Sequence, residues 1–357
     1  MLIRRGWTDG LLDRLVGDGR RIVDKAMLFD WQRGESDIEP VQATAKVPPA
    51  LAERLRPDDP ELEDLRRRYA SVDARVTTPL LWQPDTLSAE DLAHFRGENA
   101  YVWQRRGAGR SVNAYALTAY YLFSLGCEGT ASAAAANELT RQLTDRLLAL
   151  DEDGLFGAVT YEIGGRPVSR DLLDSITELL FLDQYLGLGQ GGISRILDIG
   201  AGYGRLAHRA LNAFPEIERF LCADAVAEST YLSSLYLGFR GLGGRAHVVP
   251  LDRIESMLTN SPVDVALNIH SFSECQPEAI NWWLALLARE GVRYLMAAPN
   301  AMNSGGRELL INDGRPFGQL IERHGYRLIA REPKFADPVV QRYGLSPTMY
   351  HLFERLS

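Results

Sequence analysis

Three glycines and two aspartates carry the chemistry most legible in this chain of 357 residues. Asp198, Gly200, Gly202 and Gly204 stand at alternate positions in SRILDIGAGYGRLAH, residues 194–208. Arg195 to Ile199 is an apolar run around one acid, which suits a buried strand, and Arg205 to Phe214 takes up a helical pattern. Residues without a Cβ let the backbone turn at positive φ and let a ligand come close. Strand, glycine turn and helix N-terminus make a cradle for a nucleotide-bearing cofactor, with Ala201 and Tyr203 as the intervening residues. A dinucleotide register, Gly202, Gly204 and Ala207, also fits. Asp198, two residues before the first glycine, separates the candidate ligands, because its carboxylate would repel a pyrophosphate and attract a cation.

The pattern Asp198-x-Gly200-x-Gly202-x-Gly204 resembles the first motif of the class I S-adenosylmethionine (SAM) methyltransferases. That resemblance implies SAM as cofactor, with the acid near its methionine ammonium. Asp224 closes a second strand, Phe220 to Ala223, at 224 − 204 = 20 residues past the last glycine. Nucleotide-binding α/β folds present a carboxylate to ribose hydroxyls at that separation, NAD folds included. Ala225 follows it. After a third strand, Ala246 to Val249, Leu251 offers an apolar face and Asp252 an acceptor for an adenine ring; Asp252 is equally suited to capping a helix.

The fourth strand, Asp264 to Ile269, brings Asn268, His270, Ser271, Ser273 and Glu274 to its carboxyl end, where open parallel sheets bind ligands. Amino-methylating DNA enzymes place a polar residue, two prolines and an aromatic there. This chain has AsnIleHisSer, which sets that substrate aside. NIHSFSECQPEAINWWL, with SRDLLDSITELLFL before the glycine turn and YLMAAPN after it, resembles the sugar O-methyltransferase family over residues 165–357. It departs from that family at Cys275, where a methionine is expected. The resemblance implies transfer of the SAM methyl to a sugar hydroxyl. His270 is then the expected general base, since its ordinary pKa lies near working pH, with Glu274 orienting or replacing it. A histidine capping the next turn is the bland alternative.

These residues need a scaffold. The expected fold is α/β, a Rossmann-like class I methyltransferase sheet of seven strands, the last antiparallel, over residues 166–357, preceded by a mostly helical domain over 1–165. Ser88 with Asp91 forms a capping box for a helix to Phe95. Trp103, Tyr115, Tyr120, Tyr121 and Phe123 form a helical core or, with His94, Glu98, Asn99 and Gln104, wall an acceptor pocket. Ser273 and Asn300 complete the expected acceptor contacts. Glu61 to Tyr69 reads as a charged helix without chemistry. Between Leu155 and Ser169 the alternating VTYEIGGRPVS, with Gly164 and Gly165, reads as a hairpin. The helix Ser169 to Tyr185 carries Arg170, Asp174 and Glu178 on one side, either as solvated i,i+4 pairs or with Arg170 reaching the cofactor.

Lys plus Arg number 39 against 47 Asp plus Glu, for a net charge of −8, with no basic block, so a nucleic-acid partner is not expected. Cys127, Cys222 and Cys275 fit neither a metal nor a disulfide pattern, and no metal is expected. No apolar run reaches membrane-spanning length, so no membrane partner is expected and the location is read as cytoplasmic. A homodimer through the N-terminal helices is compatible with the chain. The main alternative is a SAM-dependent O-, N- or C-methyltransferase acting on a non-sugar natural product; an idle SAM-binding protein and an NAD oxidoreductase rank below it.

Overall fold

The computed structural model describes residues 40–41, 46–78, 87–97, 146–147, 149–158, 160–163, 166–301, 304, 306–334 and 348–356. Tyr120 and the neighbouring aromatics of the expected acceptor wall, with Glu98, Asn99 and Gln104, lie outside them, as do all residues of 335–347.

Seven strands form the central sheet: β4 (Arg195–Ile199), β5 (Arg219–Ala223), β6 (Ala246–Val248), β7 (Val265–Ile269), β8 (Tyr294–Ala298), β9 (Tyr326–Pro333) and β10 (Met349–Arg355). Their spatial order is β6-β5-β4-β7-β8-β10-β9. The first five are parallel, and β10 runs antiparallel between β8 and β9. This is the expected Rossmann-like methyltransferase sheet. β4, β5, β7 and β8 are buried along almost their whole length, which is why they read as near-continuous apolar runs. The strand order reverses between β4 and β7, so a crevice opens at their carboxyl ends.

Helices cover the faces. α5 (Arg170–Leu186) precedes β4 and is capped by Ser169, whose side chain accepts from Leu172 N–H; Gly187 stops it in the left-handed conformation. α6 (Arg205–Ala213) follows β4, α7 (Ala227–Phe239) follows β5, α8 (Ile254–Asn260) follows β6, α9 (Pro277–Arg289) follows β7, and α10 (Gly318–Arg323) precedes β9. A second, three-stranded sheet joins β1 (Pro40–Val41), β2 (Thr160–Ile163) and β3 (Arg166–Ser169). β2 and β3 pair as the expected hairpin, which straddles the boundary drawn at residue 165.

The N-terminal part contributes α1 (Pro49–Ala52), α2 (Pro60–Tyr69), α3 (Ala74–Thr77) and α4 (Ala89–Ala93). The capping box of Ser88 and Asp91 is present at α4. Leu62, Leu65 and Tyr69 of α2 and Leu92 and Phe95 around α4 belong to the same continuous core as the central sheet. A buried ionic hub fastens this part down. Glu152 accepts from Arg96 at 2.7 and 2.9 Å, from Arg209 at 2.7 Å and from the Ser169 hydroxyl. Those two guanidinium groups hold the Glu152 carboxyl well below its usual range against the opposing effect of burial.

Candidate cofactor-binding and active site

Glycine is required in the turn after β4 by two separate constraints. Gly200, Gly202 and Gly204 have φ of 78°, 57° and 86°, which residues with a Cβ rarely adopt. A Cβ on Gly200 would stand 2.3 Å from the Ser271 Cβ, and one on Gly204 would stand 2.8 Å from a Leu237 methyl. The turn is tied to the next strand, where the Ala223 carbonyl accepts from Gly200 N–H at 2.8 Å and from Ala201 N–H at 3.2 Å. The Tyr203 ring is turned away from the crevice, packed on Phe95 and Tyr236 with its hydroxyl on Asp171. Only the backbone of Tyr203 remains for a ligand.

Asp198 and Asp224 flank this turn at the ends of β4 and β5. Asp224 accepts from Gly202 N–H and Val226 N–H, each at 2.9 Å. Asp198 is buried, and no hydrogen bond or ion pair to a described residue reaches its carboxylate. Burial pushes both carboxyls up to about 7. A ligand placing a cation at Asp198 and hydroxyl groups at Asp224 would return both to the charged form. The cradle therefore fits an amino-acid end beside a ribose.

Ionised side chains wall the crevice from α5. Arg205, at the start of α6, forks onto Glu178 at 2.9 and 3.0 Å and donates to Ser175 at 2.9 Å. Asp174 pairs with Lys334 and, at 3.5 Å, with Arg170. Asp174 and Glu178 are both buried, so the solvated ladder expected on α5 is replaced by an internal network. The period-of-four rule found the face but not its surroundings. Arg170 stays partly exposed beside Asp174.

At the end of β7, Asn268 is consumed by structure. Its Nδ2 donates to the Ile199 carbonyl at 3.0 Å, and its Oδ1 accepts from Phe272 N–H at 2.8 Å. It thereby fixes the turn Ser271–Glu274 against the glycine loop. Ser273 is fully buried and accepts from Asn300 N–H at 2.9 Å, so its side chain shapes the edge without facing a substrate. His270 has φ of 70°, a left-handed conformation forced on a residue with a Cβ. The expectation of a base near working pH is corrected, because burial, with Lys334 next, pushes its imidazole down to about 3. It is therefore neutral, able to accept a proton but weakly basic. Glu274 ends the same turn. His94 is not brought to this edge: its Nδ1 lies 2.8 Å from the Glu90 carbonyl, and its ring packs over Gly157.

Sequence reasoning missed α2. The Tyr69 hydroxyl reaches the Asp224 carbonyl at 3.1 Å, Thr230 at 2.7 Å and Leu251 N–H at 3.0 Å. Arg68 forks onto both Asp252 oxygens at 2.8 and 3.1 Å, so that acid is an ion-pair partner rather than a helix cap. Leu251 is buried behind it. Acids first and arginines last was the only local sign in this helix, and it speaks of the helix dipole alone. Among the described residues, no group of His, Cys, Asp and Glu could hold a metal ion, and no helix is long and apolar enough to cross a membrane.

No protein-family model and no curated protein matches the chain. Among solved structures it is similar to the mitomycin 7-O-methyltransferase MmcR, at 21% identity and TM-score 0.35, over 52% of this chain and 57% of that one. The chain thus spans little more than half the length of that enzyme. A SAM-dependent methyltransferase from Aquifex aeolicus matches at 16% identity and TM-score 0.39, over 50% of this chain and 89% of the other. The [4+2]-cyclase SpnF matches at 15% and 0.38, over 60% and 92%. Identities and TM-scores this low say nothing of the substrate.

Proposed function

We propose that this protein transfers the methyl group of SAM to a hydroxyl of a sugar or glycosylated metabolite. The observation that carries the cofactor is the pair of buried carboxylates, Asp198 and Asp224, flanking a glycine turn too tight for any side chain. Asp198 takes the ammonium, Asp224 the ribose hydroxyls, Gly200 to Gly204 the close approach of the chain, and Leu251 the adenine face. Arg170 serves the methionine carboxylate, and Asp252, oriented by Arg68, keeps lone pairs for the adenine amine.

SAM, when bound, supplies a methyl already activated on a sulfonium. What remains for the protein is to align the acceptor oxygen, exclude water and take its proton as the bond forms. His270 is the proposed base. It sits one residue from Ser271, which packs on Gly200, and its imidazole is unprotonated at neutral pH. Its low basicity suits late proton transfer, with the hydroxyl first held as a hydrogen-bond donor. Glu274 on the same turn is the second candidate. Ser273 and Asn300 shape the acceptor floor, while Tyr120, which lies outside the described residues, is assigned to an acceptor wall supplied by residues 1–165; His94 is left out of it by its packing on Gly157. The sugar class rests on the sequence resemblance of NIHSFSECQPEAINWWL, SRDLLDSITELLFL and YLMAAPN.

Calorimetric titration with S-adenosylhomocysteine, with NAD in parallel, tests the cofactor. Micromolar binding of the former that disappears in Asp224→Ala supports the reading; preference for NAD sinks it. Methylation of glycosylated acceptors over simple phenols then decides the acceptor class.

A further inference from the structure

The N-terminal helix α2 lies against the carboxyl ends of β5 and β6, the end of the crevice assigned above to the adenosine. Tyr69, its last residue, is 6% exposed, and its phenol oxygen stands within hydrogen-bond distance of three groups from three segments. A phenol carries one proton and two lone pairs. It accepts from Leu251 N–H and shares its proton between the Asp224 carbonyl and Thr230, whose own hydroxyl also reaches the Val226 carbonyl at 3.2 Å. One oxygen thus sets the separation between the backbone of the ribose-binding acid and the backbone of the residue facing the base. Burial pushes its pKa up to about 12, so the proton is retained throughout the working range.

The rest of α2 holds Tyr69 in place. Arg66 pairs with buried Glu228 of α7 at 2.7 Å and Arg68 forks onto Asp252, while ahead of α2 the Arg54 carbonyl accepts from Tyr231 of α7 at 2.6 Å. These contacts fasten α2 and the segment before it to α7 and to the loop after β6.

We infer that Tyr69 is a positioning residue of the cofactor site, holding the ends of β5 and β6 at the spacing an adenosine requires; this rests on the SAM reading. Without the hydroxyl, Leu251 N–H loses its acceptor and Asp224 loses an anchor on its main chain. The spacing between the two segments is then set by weaker packing alone.

The test compares Tyr69→Phe with Tyr326→Phe, which deletes another buried hydroxyl, bonded to the Val292 carbonyl at 2.7 Å near the opposite edge of the sheet. Binding of S-adenosylhomocysteine and of adenosine is measured by calorimetry for wild type and both variants, alongside thermal melts. Tyr69→Phe is expected to weaken both ligands by the same factor, about tenfold, as the loss of a buried donor's partner implies. Tyr326→Phe is expected to lower the melting temperature with affinities unchanged. Equal affinities in Tyr69→Phe and wild type, or equal losses in the two variants, overturn the inference while leaving the SAM reading intact. A wild type that binds neither ligand overturns both.

Discussion

Arg205 and Glu178 form a two-pronged ion pair that locks the start of α6 to α5, immediately behind the glycine turn. Glu178 is buried and Arg205 nearly so, and Asp198 and Asp174 are also close enough to feel Arg205. One guanidinium thereby balances several buried acids.

Removing that guanidinium leaves uncompensated charge in the interior. Arg205→Ala is expected to destabilise the fold by roughly 3–5 kcal/mol, the usual cost of breaking a buried pair from one side. Urea denaturation measures it. A loss under 1 kcal/mol would mean that water or a rearranged cation fills the gap.

The carboxyls of Asp198 and Asp224 give a pH signature. Each is raised from an ordinary value of 3.8 to about 7. Their protonated forms favour folding, so this contribution is fully present below pH 4 and declines as pH rises through about 7. Ligand binding has the opposite sign, because an ammonium or hydroxyl donor prefers the carboxylate. Affinity for S-adenosylhomocysteine should therefore strengthen between pH 5.5 and 8, with release of protons measurable from the buffer dependence of the binding enthalpy. Asp198→Asn should flatten that dependence, and an unchanged slope would remove Asp198 from the site.

His270 combines chemistry with backbone strain. His270→Ala and His270→Gly should each lower turnover by about 10²-fold or more, the contribution of a positioned base. The glycine variant should be more stable than the alanine variant by about 1 kcal/mol, since only glycine adopts this φ freely. Because the imidazole is held near 3, kcat should show no fall around pH 6.5 that His270 could cause. An acid limb there that vanishes in His270→Ala would show the imidazole titrating in its ordinary range and overturn this assignment.

Glu152 is the keystone of the contact between N-terminal part and sheet. Glu152→Ala strands Arg96 and Arg209 without their carboxylate and should cost roughly 3–5 kcal/mol. The sign of its pH effect is that of a depressed acid: the stabilisation is present above the usual Glu range and is lost as pH falls below it. Acid unfolding should begin at higher pH in the variant.

The sheet was largely legible in the sequence, because local rules govern its parts. The run Arg195 to Ile199, the glycines at alternate positions and the acid at 224 each announce themselves within one element. Side-chain assignments were less legible wherever a partner lies far along the chain. Tyr69 meets Asp224 across 155 positions and Leu251 across 182, so the helix that carries it read as one without chemistry. Asn268 and Ser273 sit where ligand-binding residues belong, and the bonds their polar atoms make to the Ile199 carbonyl, Phe272 N–H and Asn300 N–H could not be read from spacing. The pKa of His270 could not be read from residue type, since it depends on burial and on Lys334, 334 − 270 = 64 residues away.

β10 lies between β8 and β9 although it follows both in the chain. As the polypeptide leaves the ribosome, β9 therefore has no strand to join, and β8 keeps an open edge until residues 349–355 arrive. The parallel half of the sheet, with its glycine cradle, can assemble first and must wait with that edge unpaired, a template for pairing with other chains. The step that completes the sheet is the threading of β10 into a slot already flanked on both sides.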